Sequence, residues 1–138
     1  MLEIYAGETA LKTIRENGFS PDLFSTFLGA SGGPKWFTLL GLDKYIFGEF
    51  FNNRTQTLNV IGSSAGAFRA ACFTQADPVA AIKNLAKNYS ETVYSAKAKP
   101  AEITDKGRVL LDQLFGEHGI DEIINNKVFK AHFLVAKS

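Results

Sequence analysis

The five residues Gly62-Ser63-Ser64-Ala65-Gly66 directly follow an apolar run and match the pattern G-x-S-x-G. In that pattern the serine occupies a sharp turn between a strand and a helix, where its hydroxyl projects from the end of the sheet. A serine placed there can attack a carbonyl carbon as a nucleophile. The register of the pattern predicts Ser64 as the nucleophile and leaves Ser63 as the alternative. A turn whose glycines serve backbone geometry alone is the interpretation without chemistry.

A second glycine-rich stretch, Gly29-Ala30-Ser31-Gly32-Gly33, lies upstream and ends at Pro34. Glycines let the backbone approach a substrate closely, and backbone N–H groups can hold the oxyanion that forms when a serine attacks a carbonyl. A glycine loop before a helix is also a potential anion site. A nucleotide-binding P-loop is not expected, because Lys35 is followed by Trp36 and not by Ser or Thr.

Two predicted strands bring these two stretches together. Residues 23–28 and 57–61 are rich in apolar, aromatic and β-branched residues, and a helix is predicted from Pro34 to about Phe51. The order strand, loop, helix, strand indicates a βαβ unit with parallel strands. Because the carboxyl ends of parallel strands meet at the same sheet edge, we expect the glycine loop and Ser64 to face one cleft.

The remaining chain predicts mostly helices. Residues near Ala10 and Ile14 have helical spacing and end at Gly18, and residues 65–73 predict the helix that follows Ser64. Three further helices and one strand are expected: from an Asp77 cap to about Tyr94, from Thr104 or Asp105 to Phe115, over 120–124, and a strand over 129–135.

The segment Ser31-Gly32-Gly33-Pro34-Lys35-Trp36, followed by the G-x-S-x-G stretch, resembles the patatin-like phospholipases. The resemblance implies a serine acyl hydrolase that acts on lipid or ester substrates through a Ser-Asp dyad. It assigns Ser64 as the nucleophile and Gly32, Gly33 and Lys35 as the oxyanion loop. Pro34 is excluded from that role because it has no N–H.

The resemblance also implies an α/β fold with three α/β/α layers and a mainly parallel sheet, shortened at its C-terminus. The length of 138 residues predicts a single domain, residues 1–138. The aspartate of the family lies in an Asp-Gly-Gly/Ala segment, and this chain contains none. We interpret the nearest imitation, Asp105-Lys106-Gly107, as a helix cap. We therefore expect the N-terminal part of a longer hydrolase, or an incomplete relative. A non-catalytic ligand-binding module is the alternative.

A histidine-based triad is a further possibility. Ser64, Asp112 or Asp121, and His132 follow the chain order of an α/β-hydrolase triad. However, His132 lies inside a predicted strand and His118 lies between two predicted helices. We interpret both histidines as structural.

The composition limits the class of protein. The chain has 138 residues, a net charge of +1 and no block rich in Lys and Arg, so nucleic acid is not an expected partner. Its single cysteine, Cys72, cannot form an internal disulfide, and we interpret it as a buried small apolar residue. The N-terminus does not resemble a signal peptide, and no apolar run is long enough for a membrane span. We expect a cytoplasmic protein without cofactor or metal.

The aromatic residues and the last predicted strand indicate two possible partners, a membrane surface and a second copy of the chain. Phe47, Phe50 and Phe51 could contact acyl chains in a peripheral membrane contact, although core packing is the preferred interpretation. If the sheet ends near Val135, its unpaired edge favours a homodimer.

Overall fold

The computed structural model describes Glu3 and residues 5–136. The strands are β1 (Thr26–Gly29), β2 (Leu58–Ser63) and β3 (Phe129–Leu134), and the helices are α1 (Glu8–Asn17), α2 (Leu40–Tyr45), α3 (Ala65–Phe73), α4 (Pro78–Glu91), α5 (Pro100–Phe115) and α6 (Gly119–Asn125). Short 3-10 helices cover Pro21–Leu23 and Gly33–Leu39, and a π-helical turn covers Ile46–Phe50.

The three strands form one parallel sheet in the order β1-β2-β3. Gly29 of β1 lies in register with Gly62 of β2, and Gly62 lies in register with Phe133 of β3. The parallel βαβ unit predicted from the sequence is therefore confirmed, as is the mixed α/β class.

The two faces of the sheet differ in burial. Leu58 and Val60 are fully buried on the face that packs against α3, which contacts all three strands. On the opposite face Leu28 is 72% exposed and Leu134 is 64% exposed. Parallel sheets are normally covered on both faces. The third layer is not present among the described residues and stays a prediction.

The segment between β1 and β2 is helical over the predicted range, but its pitch changes from 3-10 to α to π. In the π turn the amide of Phe51 donates to the Ile46 carbonyl at 2.8 Å, five residues earlier. Phe47 stacks on Phe73 at a centroid distance of 3.7 Å, and both Phe47 and Phe51 are buried. The core-packing interpretation of these phenylalanines is confirmed.

The first strand begins later than predicted, at Thr26 and not at residue 23. Pro21–Leu23 instead forms a 3-10 turn, because the Ser20 hydroxyl accepts a hydrogen bond from the Asp22 amide at 3.3 Å and a proline opens the turn. The capping signal outweighs the apolar run at this end.

The predicted start of α5 at Thr104 or Asp105 is wrong, since the helix begins at Pro100. Pro100 suits a first helical turn. The Glu102 carboxylate accepts hydrogen bonds from the Ser95 amide at 2.8 Å and the Ser95 hydroxyl at 2.6 Å, which holds the preceding loop against that turn. Asp105 therefore lies inside the helix and is not a cap.

The other helices follow the predictions. Gly18 ends α1 with a φ of 76°, and the Asp77 carboxylate caps α4 by accepting from the Ala80 amide at 2.8 Å. Helix α4 ends at Glu91, three residues before the predicted end. Helix α6 covers the predicted 120–124 segment. Among the described residues, no helix has the length and apolar character needed to cross a membrane.

Candidate active site

Ser64 forms the turn between β2 and α3, and its backbone is in a disfavoured conformation. Its φ is 52° and its ψ is −122°, while Ser63 is the last residue of β2 and Ala65 is the first of α3. A side chain at positive φ meets steric hindrance, so residues other than glycine rarely occupy this region. The Ser64 residue is exposed to solvent, whereas Ser63 is half-buried. The geometry of the turn thus singles out Ser64, the serine that the pattern indicates.

Three glycines make this turn possible. A Cβ atom on Gly62 would lie 2.2 Å from the carbonyl oxygen of Gly66, and a Cβ on Gly66 would lie 1.9 Å from the carbonyl oxygen of Gly29. The backbones of β1, β2 and α3 therefore touch directly at these positions. The pattern needs glycine on both sides of the serine because no side chain fits between these backbones.

The same contacts place the start of the glycine loop beside Gly66, two residues after Ser64. The loop leaves β1 at Gly29, and the carbonyl of Ala30 would also lie 2.9 Å from a Cβ on Gly66. Because three extended residues span at most about 11 Å, Gly32 stays near the sheet edge where Ser64 lies. Gly33 adopts a φ of 52°, which turns the chain into the following helix.

The loop amides differ in their hydrogen bonds. The Lys35 amide donates to the Gly32 carbonyl at 3.3 Å and closes the first helical turn. Within the described part of the chain, the amides of Gly32 and Gly33 donate to no protein acceptor. Of the three predicted oxyanion donors, Gly32 and Gly33 thus have amides that are not engaged by the described residues, and all three assignments stay predictions.

The sequence reasoning missed one further candidate donor, the amide of Ala65. Ala65 is the first residue of α3, and the first amides of a helix have no acceptor within the helix. In G-x-S-x-G turns the N–H of the residue after the serine contributes to the oxyanion site. The G-x-S-x-G pattern could therefore have indicated the Ala65 amide from the sequence alone.

The alternative triad receives no support from the hydrogen bonds. His132 lies within β3, in register with Ile61, and its Nε2 is 3.0 Å from Oδ1 of Asn59. Asp112 and Asp121 are exposed on α5 and α6. Within the part of the chain that the structure describes, His132 forms no hydrogen bond with either carboxylate.

A buried ion pair lies behind the turn. Arg69 of α3 donates from Nε to Oδ2 of Asp43 at 2.8 Å and from Nη2 to Oδ1 at 2.5 Å. Asp43, on α2, is 1% exposed and Arg69 is 4% exposed. Sequence reasoning missed this pair, although a lone arginine within an otherwise apolar helix is a signal for a buried partner.

Cys72 lies on the same helix and is fully buried, as predicted. Burial raises the pKa of its thiol, and the negative charge of Asp43 raises it further. The thiol therefore stays protonated and unreactive.

Two surface clefts lie away from Ser64. A cleft of about 330 Å³ between α4 and α5 is lined by residues such as Asn88 and Val109, and a cleft of about 490 Å³ at the start of α5 is lined by residues such as Lys97 and Lys99. Neither contains Ser64 or the glycine loop. Among the described residues, no group of three or more His, Cys, Asp or Glu side chains could hold a metal ion.

Comparisons with protein-family models, with curated proteins and with solved structures find no match for this chain.

Proposed function

We propose that this protein is a serine acyl hydrolase that acts on lipid or ester substrates, with Ser64 as its nucleophile. The observation that carries the proposal is the conformation of Ser64. The other residues with positive φ among those described are Gly18, Gly33, Gly116 and Asn53. Glycine adopts such angles freely, and asparagine tolerates them.

A turn that served connectivity alone could use glycine at position 64, as the chain does at Gly33 and Gly116, where φ is also 52°. A disfavoured φ costs about 1–3 kcal/mol and is concentrated at functional sites. A hydroxyl held in this conformation and exposed to solvent supports a role as nucleophile. A non-catalytic anion-binding module would not need it, so the structure favours the enzyme over that alternative.

The proposed reaction begins with attack of the Ser64 oxygen on the acyl carbonyl carbon. The carbonyl oxygen becomes negatively charged, and the amides of Gly32, Gly33 and Ala65 are the candidates to hold it. A base takes the hydroxyl proton and returns it to the leaving alcohol, and water then hydrolyses the acyl-enzyme. By the resemblance the base is an aspartate in an Asp-Gly-Gly/Ala segment, which the 138 residues do not contain. We propose that a longer polypeptide supplies this aspartate.

The same proposal includes a patatin-like fold with three layers. In a patatin-like three-layer arrangement, a further layer would cover the sheet face on which Leu28 and Leu134 are exposed. That layer would complete the α/β/α architecture. A parallel sheet that is open on one face supports this view.

Covalent labelling tests the proposal. Full-length protein is incubated with a fluorophosphonate, and peptide mass spectrometry locates the adduct. We expect the label on Ser64, its loss in Ser64→Ala and its retention in the matched control Ser63→Ala. A folded full-length protein that takes no label, or a label lost only in Ser63→Ala, would refute the assignment.

A further inference from the structure

We infer that Asp43 and Arg69 are positioning residues that set the distance between Ser64 and the glycine loop. The inference rests on the proposed function. The two side chains belong to the helical segments that follow the two parts of the site. Arg69 lies five residues after Ser64, on α3, and Asp43 lies on α2, in the helical segment that begins at Gly33. The ion pair therefore joins the helix that leaves the nucleophile to the helix that leaves the glycine loop.

The guanidinium also contacts the strand that enters the loop. Its Cζ atom lies 6.0 Å from the ring centroid of Phe27 on β1 and 5.6 Å from that of Phe73 on α3. Phe27 precedes Gly29 by two residues. A single group thus contacts β1 and α3 and, through Asp43, α2.

The geometry of the pair suits positioning better than stabilisation. A buried ion pair is often no more stabilising than apolar side chains of similar volume, because both charges must be desolvated. Two parallel N–H···O bonds, however, fix the distance and the relative orientation of the two helices. Apolar contacts at the same place would hold the helices together without fixing their register as closely.

The consequence is a specific effect on reaction rate. A shift of about 1 Å between reacting groups can reduce a rate by roughly 100-fold. We expect variants without the bidentate contact to remain folded and bind a small probe, but to acylate Ser64 roughly 10-fold to 100-fold more slowly.

The test uses full-length protein and a fluorophosphonate, with labelling followed over a range of probe concentrations. This separates probe affinity from the first-order rate of acylation. The double variant Asp43→Leu/Arg69→Met replaces the pair by apolar residues of similar size. Arg69→Lys keeps the charge but loses the planar fork. The control is Arg108→Met, because the Arg108–Asp105 pair is 3.6 Å apart and exposed.

We expect both test variants to lower the acylation rate at a folded fraction matched to the wild type, with affinity almost unchanged and the control unaffected. Wild-type acylation rates in either test variant would overturn the inference. A decrease in acylation rate that is fully explained by the unfolded fraction of the variant would also overturn it.

A second readout separates this inference from the proposed function. If wild-type protein takes no label, the hydrolase proposal fails, and amide hydrogen exchange of residues 29–36 and 60–66 then tests the positioning role alone. Faster exchange in these two segments, with unchanged exchange in α5, supports it. Unchanged exchange in both segments would overturn it.

Discussion

The contact between Gly66 and Gly29 gives a quantitative test of how the loop and the turn are joined. A Cβ atom added to Gly66 would lie 1.9 Å from the carbonyl oxygen of Gly29 and 2.4 Å from its carbonyl carbon. Real Cβ contacts are essentially never shorter than 3.0 Å, so the two backbones must separate. Both partners are backbone, and neither can move aside as a flexible side chain would.

The expected effect of Gly66→Ala is the difference of two terms. Overpacking costs about 1–3 kcal/mol, and rigid backbone partners place this site near the upper end. Against it, alanine is favoured over glycine in a helix by about 1 kcal/mol. The free energy of unfolding should therefore fall by about 2 kcal/mol in Gly66→Ala.

Gly107→Ala is the matched control. Gly107 also lies within a helix, α5, but a Cβ there meets no atom within 4 Å. This variant should gain about 1 kcal/mol from helix propensity, so the two variants differ by about 3 kcal/mol. At roughly 3–4 °C per kcal/mol for a domain of this size, their melting temperatures should differ by roughly 10 °C.

Urea denaturation followed by circular dichroism measures both variants against the wild type. If Gly66→Ala were as stable as the wild type while Gly107→Ala showed its gain, the close approach of the two backbones would be refuted. The explanation of the glycines in the G-x-S-x-G stretch would then fail with it.

Two further predictions follow from the same region. The free energy of unfolding should be about 1 kcal/mol higher for Ser64→Gly than for Ser64→Ala, because the relief of the disfavoured φ outweighs the greater backbone entropy that glycine loses on folding. Equal urea midpoints for the two variants would contradict the presence of backbone strain at Ser64. Because burial raises the pKa of the Cys72 thiol, its reaction with a disulfide reagent at pH 8 should require unfolding and accelerate through the urea transition. Rapid stoichiometric reaction in native buffer would show that the thiol is accessible.

The parts of the fold that could be predicted from the sequence depend on short-range signals. The turn at Ser64 and the Asp77 cap each follow from residues a few positions apart, and the parallel βαβ unit follows from the order of such locally predicted elements. The structure contains all three. The start of α5 was mispredicted because two capping signals compete. Pro100 and the contacts of Glu102 with Ser95 decide it.

The Asp43–Arg69 pair could not be predicted in the same way. The two residues are 26 positions apart, and a single sequence does not reveal which acid meets which base. Their meeting depends on how the helical segment from Gly33 to Phe50, whose pitch changes along its length, lies relative to α3. The free amides of Gly32 and Gly33 likewise depend on the path of the loop. Residue types alone therefore indicate the candidates for the site, whereas the relative positions of those candidates are a property of packing.

Two kinds of contact join the elements that carry Ser64 and the glycine loop, and substitutions should affect these two kinds differently. The glycine backbones touch directly, so any side chain at Gly66 must push β1 away from α3. The ion pair acts through Arg69, three residues further along α3, and limits rotation of that helix through the direction of its hydrogen bonds. By the inference above, the backbone contact limits how closely α3 approaches β1, and the ion pair would limit both the distance and the rotation of α3 relative to α2. We therefore expect that loss of either contact allows Ser64 to leave the conformation that its own side chain disfavours.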